Sequence, residues 1–235
     1  PECFRPRLEM TQKLVDCGGI PLAYPILNLG FPKAGSSTLW RFFQCTFKGS
    51  AKIATHGQFG RCNRKALEKG YPPISGCPYH RNKQALMQMD QNYAPCVFPQ
   101  ISMLDEIHQE HPNATFVLNF RPVNDWIRSA MNWHGMAKRW KRNGCINNIP
   151  GLVNLKGMPP SEEKRMLELQ RWSCSHIYQV RAFVKQNPSH KLIELDLYDN
   201  ERSAATLSSL FNSKKSCWGQ RNEHKKKTKK ENPDK

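Results

Sequence analysis

Acidic residues are what this chain is short of. Its 235 residues hold 19 Asp and Glu against 36 Lys and Arg, a formal net charge of +17. A surface so poor in acid is steered toward polyanions. No run of about 18 apolar residues occurs, so nothing in the sequence reads as a membrane-spanning helix. There is no internal repeat, which excludes solenoids and propellers. Nine cysteines are present but no two form a C-x-x-C pair, so neither a zinc site nor a redox dithiol is indicated. Zinc-finger spacing, an RNA-recognition signature and a helix-turn-helix pattern are missing too, and nucleic acid is the weakest of the anionic partners to be considered.

What is present is enough for one α/β domain with a core of its own. The chain opens on Pro-Glu-Cys, without an initiator methionine or an apolar signal region. A processed or trimmed chain is the expected reading, its only membrane tie an anchor no longer attached. The cysteines (3, 17, 45, 62, 77, 96, 145, 174 and 217) are scattered, which fits a disulfide-bearing protein of the secretory pathway, and Asn113-Ala114-Thr115 is a glycosylation sequon. The localisation expected is the Golgi lumen, against a cytoplasmic enzyme with reduced core cysteines.

The informative segment is Ile26-Leu27-Asn28-Leu29-Gly30-Phe31-Pro32-Lys33-Ala34-Gly35-Ser36-Ser37-Thr38-Leu39-Trp40. An apolar run predicts a buried strand that ends at Gly30; Leu39, Phe42 and Phe43 then follow at helical spacing. Strand, small-residue loop and helix start together make an anion cradle, because amides at a helix N-terminus lack partners within the helix and its dipole favours negative charge. Ser36, Ser37 and Thr38 add hydroxyl donors, and Lys33 adds a mobile point charge. The nucleoside-triphosphatase loop puts its lysine directly before the hydroxyl residue that holds magnesium. Here Lys33 precedes Gly35, and no acidic magnesium partner is evident at the end of a second strand.

A second element lies at Ala114–Ser129. Ala114 to Phe120 reads as a buried strand, Pro122 suits a first helical turn, and Trp126, Ser129, Ala130 and Trp133 would share a helical face. Arg121 at the strand end and Ser129 two turns into the helix then face one crevice, where an arginine fork and a hydroxyl suit a phosphate.

In the order Pro-Lys-x-Gly-Ser-Ser-Thr-Leu, and in an arginine followed eight positions later by a serine, the chain resembles the sulfotransferases that use 3′-phosphoadenosine 5′-phosphosulfate. The resemblance spans roughly residues 24–222 and rests on these two motifs; proline directly after Arg121 departs from the usual Arg-Asp-Pro. A weaker third match is Ser216-Cys217-Trp218-Gly219-Gln220-Arg221-Asn222, similar to a loop that closes over the nucleotide in several Golgi-type members. The resemblance implies that Lys33, Ala34, Gly35, Ser36, Ser37 and Thr38 hold the 5′-phosphosulfate, Lys33 neutralising the leaving oxygens. Arg121 and Ser129 take the 3′-phosphate, with Trp218 and Arg221 closing over it. It implies transfer of a sulfuryl group to a hydroxyl or amine, release of 3′-phosphoadenosine 5′-phosphate, and no metal. An acceptor hydroxyl needs a general base. His56, just past the candidate strand Lys52–Thr55, is the choice, with His80, His108, His111 and His134 as alternatives. A carbohydrate is the acceptor expected, and the basic cluster Lys138-Arg139-Lys141-Arg142 makes an acidic glycan attractive, with a protein tyrosine or a small alcohol left open. A kinase-like enzyme using the same cradle, and a non-catalytic polyanion-binding protein of the same fold, are the competing readings; oligomeric state stays open.

The fold expected is α/β, a P-loop-like, mostly parallel sheet flanked by helices on both faces. Residues 1–23 are taken as an N-terminal extension, 24–222 as the domain and 223–235 as a basic, disordered tail. Helices are expected at Ile101–Glu110, from a cap at Ser161-Glu162-Glu163 to about Lys185, and at about Glu201–Phe211, with a strand over Lys191–Leu197. The long helix is expected to supply apolar contacts through Leu167, Trp172, Ile177, Tyr178 and Val180. Residues 61–95 read as an irregular insert.

Overall fold

The computed structural model describes residues 2–16, 22–49, 52–54, 69–72, 74–77, 83–87, 98–132 and 162–219. Five strands form its sheet: β1 (Ile26–Asn28), β2 (Ile53–Ala54), β3 (Ala85–Leu86), β4 (Thr115–Phe120) and β5 (Lys191–Asp196). Their order is β2-β3-β1-β4-β5 and every pairing is parallel. Among the described residues seven helices accompany them: α1 (Leu8–Asp16), α2 (Ser36–Thr46), α3 (Pro99–Ser102), α4 (Leu104–Glu110), α5 (Val123–Asn132), α6 (Glu162–Gln186) and α7 (Asn200–Leu210). Short 3-10 turns lie at Glu2–Phe4 and Lys215–Cys217.

Parallel strands covered on both faces carry apolar side chains on both. Ile26, Val117, Ile193 and Leu195 turn to one face, against Leu39, Phe42 and Phe43 of α2 and Ala204 and Leu207 of α7. Leu27, Phe116, Leu118 and Phe120 turn to the other, against Ile107 of α4 and Ile177, Val180 and Phe183 of α6. A third cluster gathers beyond the sheet, with Phe31, Ala34, Trp126, Ala130, Leu169 and Trp172. The expected fold class is what the structure has.

Some details differ from the sequence reading. The helix expected over Ile101–Glu110 is two helices, α3 and α4, parted at Met103. β3 lies in the stretch read as an irregular insert; it is two residues long and fully buried, so no alternation marks it. On α6, Leu167 and Tyr178 are exposed, while Leu169, Trp172, His176, Ile177, Val180 and Phe183 are buried. That stripe has helical spacing, and Leu167 and Tyr178 fall outside its arc.

Residues 2–16 are built into this body. Cys3 is bonded to Cys174 of α6, with their Cα atoms 5.4 Å apart. α1 covers the open edge of β5: the Thr11 hydroxyl accepts from the Glu194 amide at 2.9 Å and donates to the Glu194 carbonyl at 3.3 Å. An edge strand so occupied cannot template another chain. A second disulfide, Cys45–Cys217, ties the end of α2 to the turn before Trp218, and Cys77 is also disulfide-bonded. In the sequon, Asn113 is exposed, but the Thr115 hydroxyl is spent on the Ala23 carbonyl at 2.8 Å. Among the described residues no helix is long and apolar enough to cross a membrane.

Candidate functional site

Where β1 and β4 lie side by side the chain changes direction across the sheet: from β1 it leads on to β2 and β3 on one side, and from β4 to β5 on the other. In open α/β sheets such a switch point leaves a crevice at the carboxyl ends of the strands. The loop after β1 and Arg121 after β4 both open into it.

The loop is shaped residue by residue. Asn28 bridges backwards and forwards, donating through Nδ2 to the Met87 carbonyl at 2.7 Å and accepting at Oδ1 from the Gly30 amide at 2.9 Å. Gly30 must lack a side chain, since a Cβ there would run into the Asn119 carboxamide and Asn28 Oδ1. Phe31 anchors the loop between Trp126, Trp172 and His176, its ring centroid 5.2, 4.8 and 4.7 Å from theirs. Lys33 then adopts φ 69, a left-handed conformation that costs a side-chain-bearing residue on the order of 1 kcal/mol and clusters at functional sites. Gly35 caps α2 at φ 95, with Leu197 filling the space a Cβ would need. Ser36 and Thr38 of the first turn are buried and Ser37 is exposed.

Arg121 closes the other side. Its Nη1 donates to the Lys33 carbonyl at 3.2 Å, and its buried Nε has no protein partner. Burial, and secondarily the Arg121 guanidinium, push the Lys33 ammonium below its ordinary pKa. Two neighbouring cations that raise each other's energy form a site that gains by taking an anion. Ser129 is half-buried on α5. Trp218 sits in the core against Phe42, and its indole N–H donates to Asn200 Oδ1 at 3.1 Å. His56, His80, His134 and Arg221 lie outside the described residues. His108 and His111 stand before β4, at the amino end of a six-residue strand. At ~3.3 Å per residue that strand sets them roughly 20 Å from Arg121, too far to serve the same crevice. Among the described residues no group of three or more His, Cys, Asp or Glu side chains is placed to hold a metal ion.

Three site-building residues escaped the sequence reading: Asn28, Asn119 and His176. Asn119 is 5% exposed, and neither its Oδ1 nor its Nδ2 has a partner. His176 faces the Leu29 carbonyl through Nε2 at 2.7 Å. The available signal was an i, i+4 step on the apolar stripe of α6, from Trp172 to His176 to Val180, with a histidine at its centre.

Burial drives the His176 pKa down from 6.5 to about 4, against a smaller opposing pull from the Leu29 carbonyl. An unfolded chain would protonate this histidine below its ordinary pKa while the folded chain does not. Stability is therefore complete above pH 6.5 and falls as pH drops toward about 4. Denaturant titrations across that window should show a loss of about 3 kcal/mol from this residue. His111 and His190, both lowered by burial, act in the same direction. His176→Leu should flatten the profile if it remains folded.

A switch-point crevice, a strand–loop–helix cradle, a lysine in the loop and an arginine from the adjoining strand define a P-loop-like, anion-binding α/β protein. Sequence comparison narrows the class. The family model described as a sulfotransferase domain matches residues 25–200, and the chain belongs to that family, whose general chemistry is sulfuryl transfer. The match takes in the loop, Arg121 and Ser129 and stops short of Trp218. A search of curated proteins gives no match.

Proposed function

We propose that this chain transfers a sulfuryl group from 3′-phosphoadenosine 5′-phosphosulfate to a hydroxyl or amine of an acceptor, an acidic glycan being the acceptor class favoured. The observation that carries the donor is that Arg121 reaches across the switch point to the Lys33 carbonyl and acts electrostatically on the Lys33 ammonium, in the loop that leads into α2. A doubly phosphorylated nucleotide presents two anionic ends, and the site offers two grips. Residues Lys33, Ala34, Gly35, Ser36, Ser37 and Thr38 fit the 5′ end through loop amides, hydroxyls and one ammonium. Arg121 with Ser129 fits the 3′-phosphate, and Arg121 Nε is a buried donor still without a protein partner. Arg221 belongs to this reading as the residue closing over the nucleotide, while Trp218, packed in the core with its N–H on Asn200, anchors that segment.

The cofactor, when bound, supplies the activated sulfuryl group; the protein supplies in-line alignment and charge. Lys33 stabilises negative charge growing on the leaving oxygens. His56 takes the acceptor proton, histidine being the side-chain type whose unperturbed pKa lies near neutrality. The net charge of +17 supports an anionic acceptor beyond what the cofactor alone requires. Disulfides joining cysteines 171 and 172 residues apart support the oxidising Golgi lumen over the cytoplasm.

Calorimetric titration with 3′-phosphoadenosine 5′-phosphate, with and without magnesium, tests the donor. Tight binding indifferent to magnesium is expected. Binding of nucleoside triphosphate that depends on magnesium would transfer the site to a kinase-like enzyme.

A further inference from the structure

Loop carbonyls next to an anion repel it, so a phosphate loop must keep its carbonyls turned outward. In a planar trans peptide the C=O and the following N–H point in opposite directions, and holding one fixes the other. Three peptide planes of this loop are held in that way. The Leu29 carbonyl accepts from His176 at 2.7 Å while the Gly30 amide donates to Asn28 at 2.9 Å. The Pro32 carbonyl accepts from the Trp126 indole at 3.0 Å. The Lys33 carbonyl accepts from Arg121 at 3.2 Å while the Ala34 amide donates to the Phe31 carbonyl at 3.1 Å. The three side-chain donors come from α6, α5 and the end of β4.

We propose that His176 and Trp126 are positioning residues for anion capture, holding the Leu29 and Pro32 carbonyls turned away from the bound phosphosulfate so that the cradle takes it without rearranging. The inference rests on the reading of this loop as the 5′-phosphosulfate site. Packing alone does not account for these two side chains. Both rings lie against Phe31, a contact that a phenylalanine would also make, yet each spends a polar N–H on a loop carbonyl. A carbonyl only accepts, so His176 carries its hydrogen on Nε2, leaving Nδ1 bare; Nδ1 is buried and without a partner. Its low pKa keeps it neutral, so the tether adds no third positive charge beside Lys33 and Arg121.

Trp126→Phe keeps the ring and deletes one donor. His176→Leu deletes another, and His176→Gln returns an N–H at nearly the same reach. Each variant is titrated by calorimetry with 3′-phosphoadenosine 5′-phosphate and with inorganic pyrophosphate, and its thermal midpoint is recorded. Trp126→Phe and His176→Leu are expected to weaken both ligands by about 5- to 30-fold in folded protein, the scale of one lost buried hydrogen bond. His176→Gln should recover most of the loss. In wild type, ¹⁵N-histidine NMR should find His176 protonated on Nε2 alone. Unchanged affinities in folded Trp126→Phe, or a proton on Nδ1 of His176, would overturn the proposal. A wild type that binds pyrophosphate but not the nucleotide refutes the donor reading, and the tethers are then judged on pyrophosphate. A wild type that binds neither refutes both.

Discussion

Lys33→Ala is expected to lower sulfuryl transfer by at least ~10²–10³-fold, the scale seen when a single preorganised charge-stabilising donor is removed, and to leave the protein as stable as before or slightly more so. The two halves of this expectation have one cause. The Lys33 ammonium is half-buried and stands near Arg121, both of which disfavour its charged form. A bound anion works against both effects and favours the charge. Alanine keeps the Cβ, so the cost of φ 69 is unchanged and does not confuse the comparison. Arg121→Ala should abolish transfer as well, but with a different signature. That substitution also releases the Lys33 carbonyl, so nucleotide affinity should fall along with turnover. Transfer of labelled sulfate, beside a thermal melt for each variant, separates the cases. Unchanged rates in either variant would sink the cofactor assignment. A fall in stability on the scale of the lost activity would make Lys33 a structural residue.

The cradle was legible in the sequence because its parts are local. A buried strand, a turn of small residues and a helix start follow one another over fifteen positions, from Ile26 to Trp40. The order of Lys33 and Gly35 separates the loop from a magnesium-dependent one without any tertiary information. Arg121 was legible for the same reason, as the residue closing an apolar run. β4, α6, β5 and α7 came close to their observed bounds, because each is a long periodic segment with a cap or a turn to stop it. What stayed hidden was long-range. His176 lies 147 positions from the carbonyl it holds, and only folding brings α6 over the end of β1. Asn119 looked like one polar interruption in a strand; its position beneath Gly30 comes from the register of β4 on β1. The two-residue strand β3 carries too little pattern to be seen, and it is recognised only by its partners on either side.

Glu194→Ala should be the most damaging single change to stability, about 3–5 kcal/mol, because it removes one half of a buried ion pair and strands the other. Arg181 donates to both Glu194 oxygens at 2.8 Å, and the two side chains are only 8% and 3% exposed. The same carboxylate accepts from the Arg7 amide, and Arg181 also reaches the Arg5 carbonyl at 2.8 Å. One carboxylate thus joins the N-terminal segment, α6 and β5. A domain holds only about 5–15 kcal/mol of net stability, so the loss is a large share of it. The Cys3–Cys174 bond keeps the N-terminal segment attached after the pair is broken, and what is measured is then the stranded guanidinium rather than release of the chain. The double variant Glu194→Leu with Arg181→Met separates the two contributions. A buried pair replaced by apolar side chains of similar volume is often neutral. Much of the lost stability should therefore return, leaving a coupling energy of about 0.5–3 kcal/mol in the mutant cycle. Additive losses would mean that the carboxylate acts through the Arg7 amide instead. Either way the effect reaches the anion site through β5 itself, for the strand that carries Glu194 ends beside Leu197, and Leu197 is the side chain against which Gly35 closes the cradle.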